Sequence, residues 1–124
     1  MNKEIYLDYA ATTYTRPEAI EAMTPYMGQV YGNPSSLHGF GMKARKGLEE
    51  ARAKTAGALH AQPEEIFFTS GGTESDNWAI FGVARANRKR GSHIITTRIE
   101  HPAIMNAVQR LEHDGFSVTY LDVD

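Results

Sequence analysis

Apolar residues in the first half of the chain recur at helical spacing, whereas in the second half they gather into short runs separated by helical stretches. Residues 5–10 read as a short extended segment. Arg16-Pro17 then opens a helix, with Pro17 suited to the first helical position, where its missing N–H costs nothing. Ile20, Met23 and Met27 give that helix its apolar stripe, and Tyr31-Gly32-Asn33-Pro34 breaks the pattern as a loop. A long amphipathic helix is expected to follow Ser35 or Ser36. Leu37, Phe40, Ala44, Leu48, Ala51, Thr55 and Leu59 mark one face, while Lys43, Lys46, Glu50 and Lys54 lie largely elsewhere.

The rhythm then changes. Ile66-Phe67-Phe68-Thr69 is a compact β-like run ending in Ser70-Gly71-Gly72, and residues 73–88 are helical, with Ile80, Val83, Ala84 and Asn87 aligned. Residues 92–97 form a second strand. Pro102 opens another helix striped by Ile104, Val108 and Leu111, Gly115 ends it, and residues 116–121 form a third strand. Strand, helix, strand, helix, strand predicts βαβ units in a mainly parallel sheet, an α/β fold preceded by N-terminal helices. Residues 1–60 therefore read as an N-terminal helical segment and 61–124 as the start of an α/β domain. The chain stops directly after a buried-looking strand that a further helix would normally cover, so the domain is expected to be incomplete.

Composition narrows the function. The 124 residues carry a net charge of -2, which argues against a nucleic-acid footprint. The basic cluster Arg85, Arg88, Lys89 and Arg90 sits at a helix end, where the macrodipole favours it. There is no cysteine, hence no disulfide and no thiolate metal site, and His38, His60, His93 and His113 lack metal-ligand spacing with each other, so no metal is expected. Nothing resembles a signal peptide or a membrane span; a cytoplasmic protein without a membrane partner is the expectation.

Three segments carry candidate chemistry. Thr69-Ser70-Gly71-Gly72-Thr73-Glu74 lies where a strand turns into a helix. Glycines admit a ligand close to the backbone, the helix start offers unpaired N–H groups to an anion, and Thr73 adds a hydroxyl. A phosphate cup and a plain capped turn both satisfy this pattern. A nucleotide P-loop does not, since no Lys-Ser/Thr pair follows the glycines. His101, in Glu100-His101-Pro102, sits at a second strand-to-helix junction on the same rim of the sheet, where parallel α/β folds bind ligands. A surface residue or a weak helix cap is the competing reading of His101. Leu7 to Thr13 and Gly32 to Gly39 suit a ligand wall, or a turn and a helix cap.

Taken in order, these motifs resemble the cysteine desulfurase branch of the class V aminotransferases: Leu7 to Thr13, Gly32 to Gly39, Phe67 to Asn77, Glu100-His101-Pro102 and the strand through Tyr120. The resemblance implies part of the large domain of a fold-type-I transferase that depends on pyridoxal 5'-phosphate. Such an enzyme is a homodimer that converts L-cysteine to L-alanine and a persulfide on an enzyme cysteine. The sulfur passes on to an acceptor such as an iron–sulfur scaffold protein. Carried over by motif, Gly72 and Thr73 hold the cofactor phosphate. His101 stacks on the pyridine ring and assists proton transfers as the catalytic residue, and Ala10, Ala11 and Asn33 lie near the substrate.

The departures weigh as much. None of Lys3, Lys43, Lys46, Lys54 or Lys89 has the context of the family's Schiff-base lysine. The acidic partner of the pyridine nitrogen, the arginine for the substrate carboxylate and the sulfur-accepting cysteine are also missing. A family member is roughly three times longer. The resemblance therefore implies an N-terminal portion that is inactive by itself, with its first strand lacking its sheet neighbours. Two other readings stay open: another class V enzyme, such as a selenocysteine lyase or aminotransferase, and a non-catalytic phosphate- or partner-binding module.

Overall fold

A computed structural model describes residues 4–124. The chain divides into two compact units, Met1–Phe67 and Phe68–Asp124.

In the first unit, helix α1 (Pro17–Met23) starts where Pro17 predicts, behind the extended backbone of Arg16 and with Glu18 in its first turn. The helix tightens into a 3-10 turn over Thr24–Met27, where the Thr24 hydroxyl donates to the Ile20 carbonyl at 2.8 Å. Helix α2 (Gly39–Leu59) begins later than Ser35 or Ser36. Those serines belong to a turn organised by Asn33, whose Oδ1 accepts the Ser35 N–H and whose carbonyl accepts the Ser36 N–H, both at 2.9 Å. The cap is His38 instead, with Nδ1 accepting the Gly41 N–H at 3.3 Å. Arg45 ties the turn down through its Nε bond to the Pro34 carbonyl at 2.8 Å.

The predicted stripe of α2 exists but is poorly covered: only Gly41, Ala44 and Ala56 of the helix are buried, and Phe40 and Leu59 are mostly exposed. Beyond it, Gln62 donates its N–H to Glu65 at 2.7 Å around the 3-10 turn Pro63–Glu65. Arg52 Nε donates to the Ile66 carbonyl at 3.2 Å, holding the following segment to the helix.

The expected strand over residues 66–69 does not form. Ile66 has extended backbone, but the described residues offer this segment no ladder partner, and extended backbone without one is not a strand. The second unit therefore reads helix, strand, helix, strand: α3 (Gly72–Asn87), β1 (His93–Thr97), α4 (Pro102–His113) and β2 (Ser117–Leu121). The strands pair in parallel from His93 opposite Ser117 to Thr97 opposite Leu121, joined through α4 as a β-α-β crossover. Gly115, at φ 90°, supplies the left-handed step that ends α4.

The core of this unit lies beneath α4. Ala103, Ala107, Val108 and Leu111 are buried with Phe116, and complete burial of Leu111 and Val108 contributes about 1.5–3 kcal/mol each. Tyr120 reaches α4 from the covered sheet face and donates to Glu112 at 3.1 Å. No residue of α3 is buried. Its predicted stripe of Ile80, Val83, Ala84 and Asn87 lines an open groove of about 450 Å³ with Ile94 and Phe116.

Candidate active site

Two helix starts define the site, and the sequence makes each start differently. Pro102 presets the first turn of α4, and His101 caps it, its Nδ1 accepting the Ala103 N–H at 3.1 Å. An imidazole nitrogen that accepts carries no proton, so the ring proton of a neutral His101 is on Nε2. The competing reading of His101 as a helix cap is therefore correct as far as it goes; the cap leaves Nε2–H, on an exposed ring, available for other work. The turn before it is fixed by the Thr97 hydroxyl, which donates to Glu100 at 3.1 Å.

Helix α3 starts with no side-chain cap. Gly71 occupies the cap position in extended backbone, its carbonyl accepts the Ser75 N–H at 3.1 Å, and Gly72 and Thr73 begin the helix. A Cβ built on Gly71 or Gly72 meets nothing within 4 Å, so no close packing at these positions calls for glycine. The Thr73 hydroxyl has no hydrogen-bond partner among the described residues. Open backbone donors, the positive end of a 16-residue helix and a hydroxyl constitute a donor set suited to a phosphate.

The loop before α3 is held by its own side chains. One carboxylate oxygen of Glu74 accepts both the N–H and the hydroxyl of Ser70, at 2.6 and 2.7 Å. The Ser70 N–H, then its hydroxyl, hold the Glu74 carboxyl below the usual carboxylate value, against a smaller opposing effect of burial. The Thr69 hydroxyl donates to the Gly71 carbonyl at 3.2 Å and lies 2.7 Å from the Ser75 hydroxyl, which is then the donor in that pair.

The two starts are adjacent. Asn77 Nδ2 donates to the Thr73 carbonyl at 2.8 Å and lies 3.5 Å from the Ala103 carbonyl, a longer and weaker contact that spans the first turns of α3 and α4. Gly72, Thr73 and His101 thus belong to one end of one unit. Ala10, Ala11 and Asn33 belong to the first unit. Ala10 and Ala11 sit in an exposed turn, the alternative left open for Leu7 to Thr13, where residues 5–10 were also expected to be extended. The Asp8 carbonyl accepts the Ala11 N–H at 3.1 Å, and Tyr6 donates to the carbonyls of Asp8 and Thr12 at 2.8 and 3.1 Å, which curls the chain. Sequence reasoning quoted Ser70, Glu74 and Asn77 within its motifs but gave none of them a role. Their only signal is a Ser and a Glu four residues apart across the glycines, and an Asn one turn beyond Thr73.

No group of three or more His, Asp or Glu side chains among the described residues is placed to hold a metal ion. No described helix is long and apolar enough to cross a membrane.

Known proteins resemble this chain in sequence and fold. A cysteine desulfurase IscS of Clostridium botulinum is 57% identical over 124 residues, covering 100% of this chain and 31% of that protein. The cysteine desulfurase IscS of Methanosarcina thermophila is 54% identical over 123 residues, 99% of this chain and 30% of its own length. Among solved structures, a NifS-like protein superposes with a TM-score of 0.89 at 43% identity, over 96% of this chain and 33% of that one. SspA in complex with cysteine gives 0.84 at 41%, over 94% and 33%. The chain thus spans about a third of the relatives it matches. The family model for aminotransferase class-V proteins matches residues 5–124, the whole length over which both helix starts are built, and the chain belongs to that family.

Proposed function

We propose that this chain forms part of a pyridoxal-phosphate-dependent cysteine desulfurase, which takes sulfur from L-cysteine and leaves L-alanine. Class V aminotransferases depend in general on pyridoxal 5'-phosphate, and the curated relatives at 57% and 54% identity are named cysteine desulfurases. The observation that carries the reading to particular residues is the pairing of an uncapped α3 start with the His101-capped start of α4, spanned by Asn77.

The donor set fits the cofactor's phosphate end. The N–H groups of Gly72 and Thr73 and the Thr73 hydroxyl bind the phosphate, with the positive end of α3 behind them. His101 lies against the ring and acts through Nε2, the nitrogen its capping bond leaves protonated, in moving protons near the substrate. The bound cofactor supplies an electron sink for bonds at the substrate α-carbon, and the protein supplies orientation and proton traffic. For Ala10, Ala11 and Asn33 the support for a place near the substrate is the motif resemblance alone.

Residues 61–124 open the cofactor-binding α/β domain in this reading, and residues 1–60 are the helical segment before it. The covalent lysine, the acidic partner of the ring nitrogen, the carboxylate-binding arginine and the sulfur-accepting cysteine come from the remainder of such a protein. A homodimer, a sulfur acceptor such as an iron–sulfur scaffold and a cytoplasmic location complete the proposal.

The test is a chimera in which this chain replaces the matching residues of the Clostridium botulinum relative. Alanine release from cysteine that depends on pyridoxal phosphate, and falls at least a hundredfold in Thr73→Ala or His101→Ala chimeras, is the expected result. A folded chimera that loads cofactor but releases no alanine contradicts the assignment.

A further inference from the structure

We propose that Glu74 is a positioning residue for the phosphate end of this site, holding the Ser70 side chain and backbone away from the helix start so that the N–H groups of Gly72 and Thr73 stay open. The inference rests on the phosphate reading of that helix start. Serine and threonine just before a helix ordinarily cap it, each hydroxyl satisfying one of the N–H groups of the first turn. Gly71 holds the cap position of α3, so Ser70 and Thr69 lie one and two residues outside it, and neither caps the helix. The Ser70 hydroxyl and N–H both point to one oxygen of Glu74, at 2.7 and 2.6 Å. The Thr69 hydroxyl is engaged by the Gly71 carbonyl at 3.2 Å and the Ser75 hydroxyl at 2.7 Å.

The geometry departs from the common capping box in an informative way. Glu74 is the third residue of α3, from which a carboxylate usually reaches back to the cap residue's own N–H. Here it reaches one residue further, past Gly71 to Ser70. The Ser70 hydroxyl is thereby fixed in place before any ligand arrives and that of Thr69 is held separately by Gly71 and Ser75, while Gly71, with no side chain, cannot block the donors. A carboxylate beside an anion site also carries a cost, because its charge opposes a phosphate's. These two effects have opposite signs and can be separated by substitution. Glu74→Gln removes the charge and keeps an oxygen to accept from Ser70, whereas Glu74→Ala removes both.

The experiment titrates the chain with inorganic phosphate and follows the Gly72 and Thr73 amide signals by NMR, with the α4 amide signals as the control for folding. The wild-type chain and Glu74→Gln bind, the glutamine variant at least as tightly, and Glu74→Ala binds roughly fivefold more weakly as the freed loop must be ordered on binding. In the absence of phosphate the Ser70 amide is protected from hydrogen exchange in the wild type and Glu74→Gln, and loses that protection in Glu74→Ala. Equal phosphate binding by the alanine and glutamine variants, or no Ser70 protection in the wild type, overturns the role given to Glu74 alone. No phosphate response in the wild type overturns the phosphate site itself, and with it this role.

Discussion

His101 caps α4 through Nδ1 and, in the proposed function, moves protons through Nε2, and substitution can divide the two. Asparagine is a good helix cap and alanine a poor one, so His101→Ala should destabilise the second unit by about 1 kcal/mol, while His101→Asn should cost little. Denaturant midpoints measure that difference, and in the chimera both variants should lose alanine release, because neither carries a ring. Glu74 adds a pH signature. Its folded carboxyl value is depressed by the Ser70 bonds, so its contribution is present above the ordinary carboxylate value and is lost as pH falls through the lower, folded one. The Ser70 amide shift should therefore titrate with a midpoint below that of an ordinary glutamate; a midpoint at or above it would mean that the bond does not form in solution. The place of Gly72, Thr73 and His101 at two helix starts was legible from sequence, because glycines, a threonine and a proline after apolar runs mark where helices begin; their roles toward a ligand rest on the motif resemblance. The Ser70–Glu74 pairing was not legible, because it depends on which glycine begins the helix and on two rotamers that no spacing rule specifies.

At the scale of elements, α2 contains an internal control for why its glycines are there. A Cβ on Gly41 would run into the backbone carbonyls of Ser36 and Asn33, whereas one on Gly57 meets nothing within 4 Å. Alanine improves helix propensity by roughly 0.5–1 kcal/mol at either position. Gly57→Ala should therefore stabilise α2 by about that amount, while Gly41→Ala should lose about 1–3 kcal/mol as the 33–36 turn is forced away. Thermal unfolding followed by helical ellipticity compares the two, and equal shifts would mean that the close approach at Gly41 is not maintained in solution. Helix periodicity located α1, α2, α3 and α4, with Pro17 and Pro102 placing two of the starts to the residue. It misplaced the start of α2 because Ser35 and Ser36 look like caps until Asn33 is seen to claim their N–H groups. The β-like run at residues 66–69 was misjudged for a different reason: a strand is a property of a pair, and apolar composition reports only one member of it.

For the molecule as a whole, buried apolar side chains are few and exposed ones many. Among the described residues the fully buried large side chains are Leu111 and Val108, while Ile5, Leu7, Phe67, Val83 and Ile95 are each more than half exposed. Uncovered apolar surface of this extent marks faces that another surface covers, in keeping with a chain that spans 31% of its Clostridium botulinum relative. The chain by itself should bind a hydrophobic dye such as anilinonaphthalene sulfonate at these exposed faces while keeping resolved amide signals; no dye binding would contradict this.

The central claim, that the starts of α3 and α4 form the phosphate and ring ends of one cofactor site, is tested most directly by titrating the isotope-labelled chain with pyridoxine 5'-phosphate. This analogue lacks the aldehyde and so cannot react with lysines. The Gly72 and Thr73 amides and the His101 ring signals should shift together along one binding curve, and pyridoxine without its phosphate should leave Gly72 and Thr73 unmoved. Shifts confined to other residues, or a response at Gly72 and Thr73 that does not need the phosphate, would contradict this.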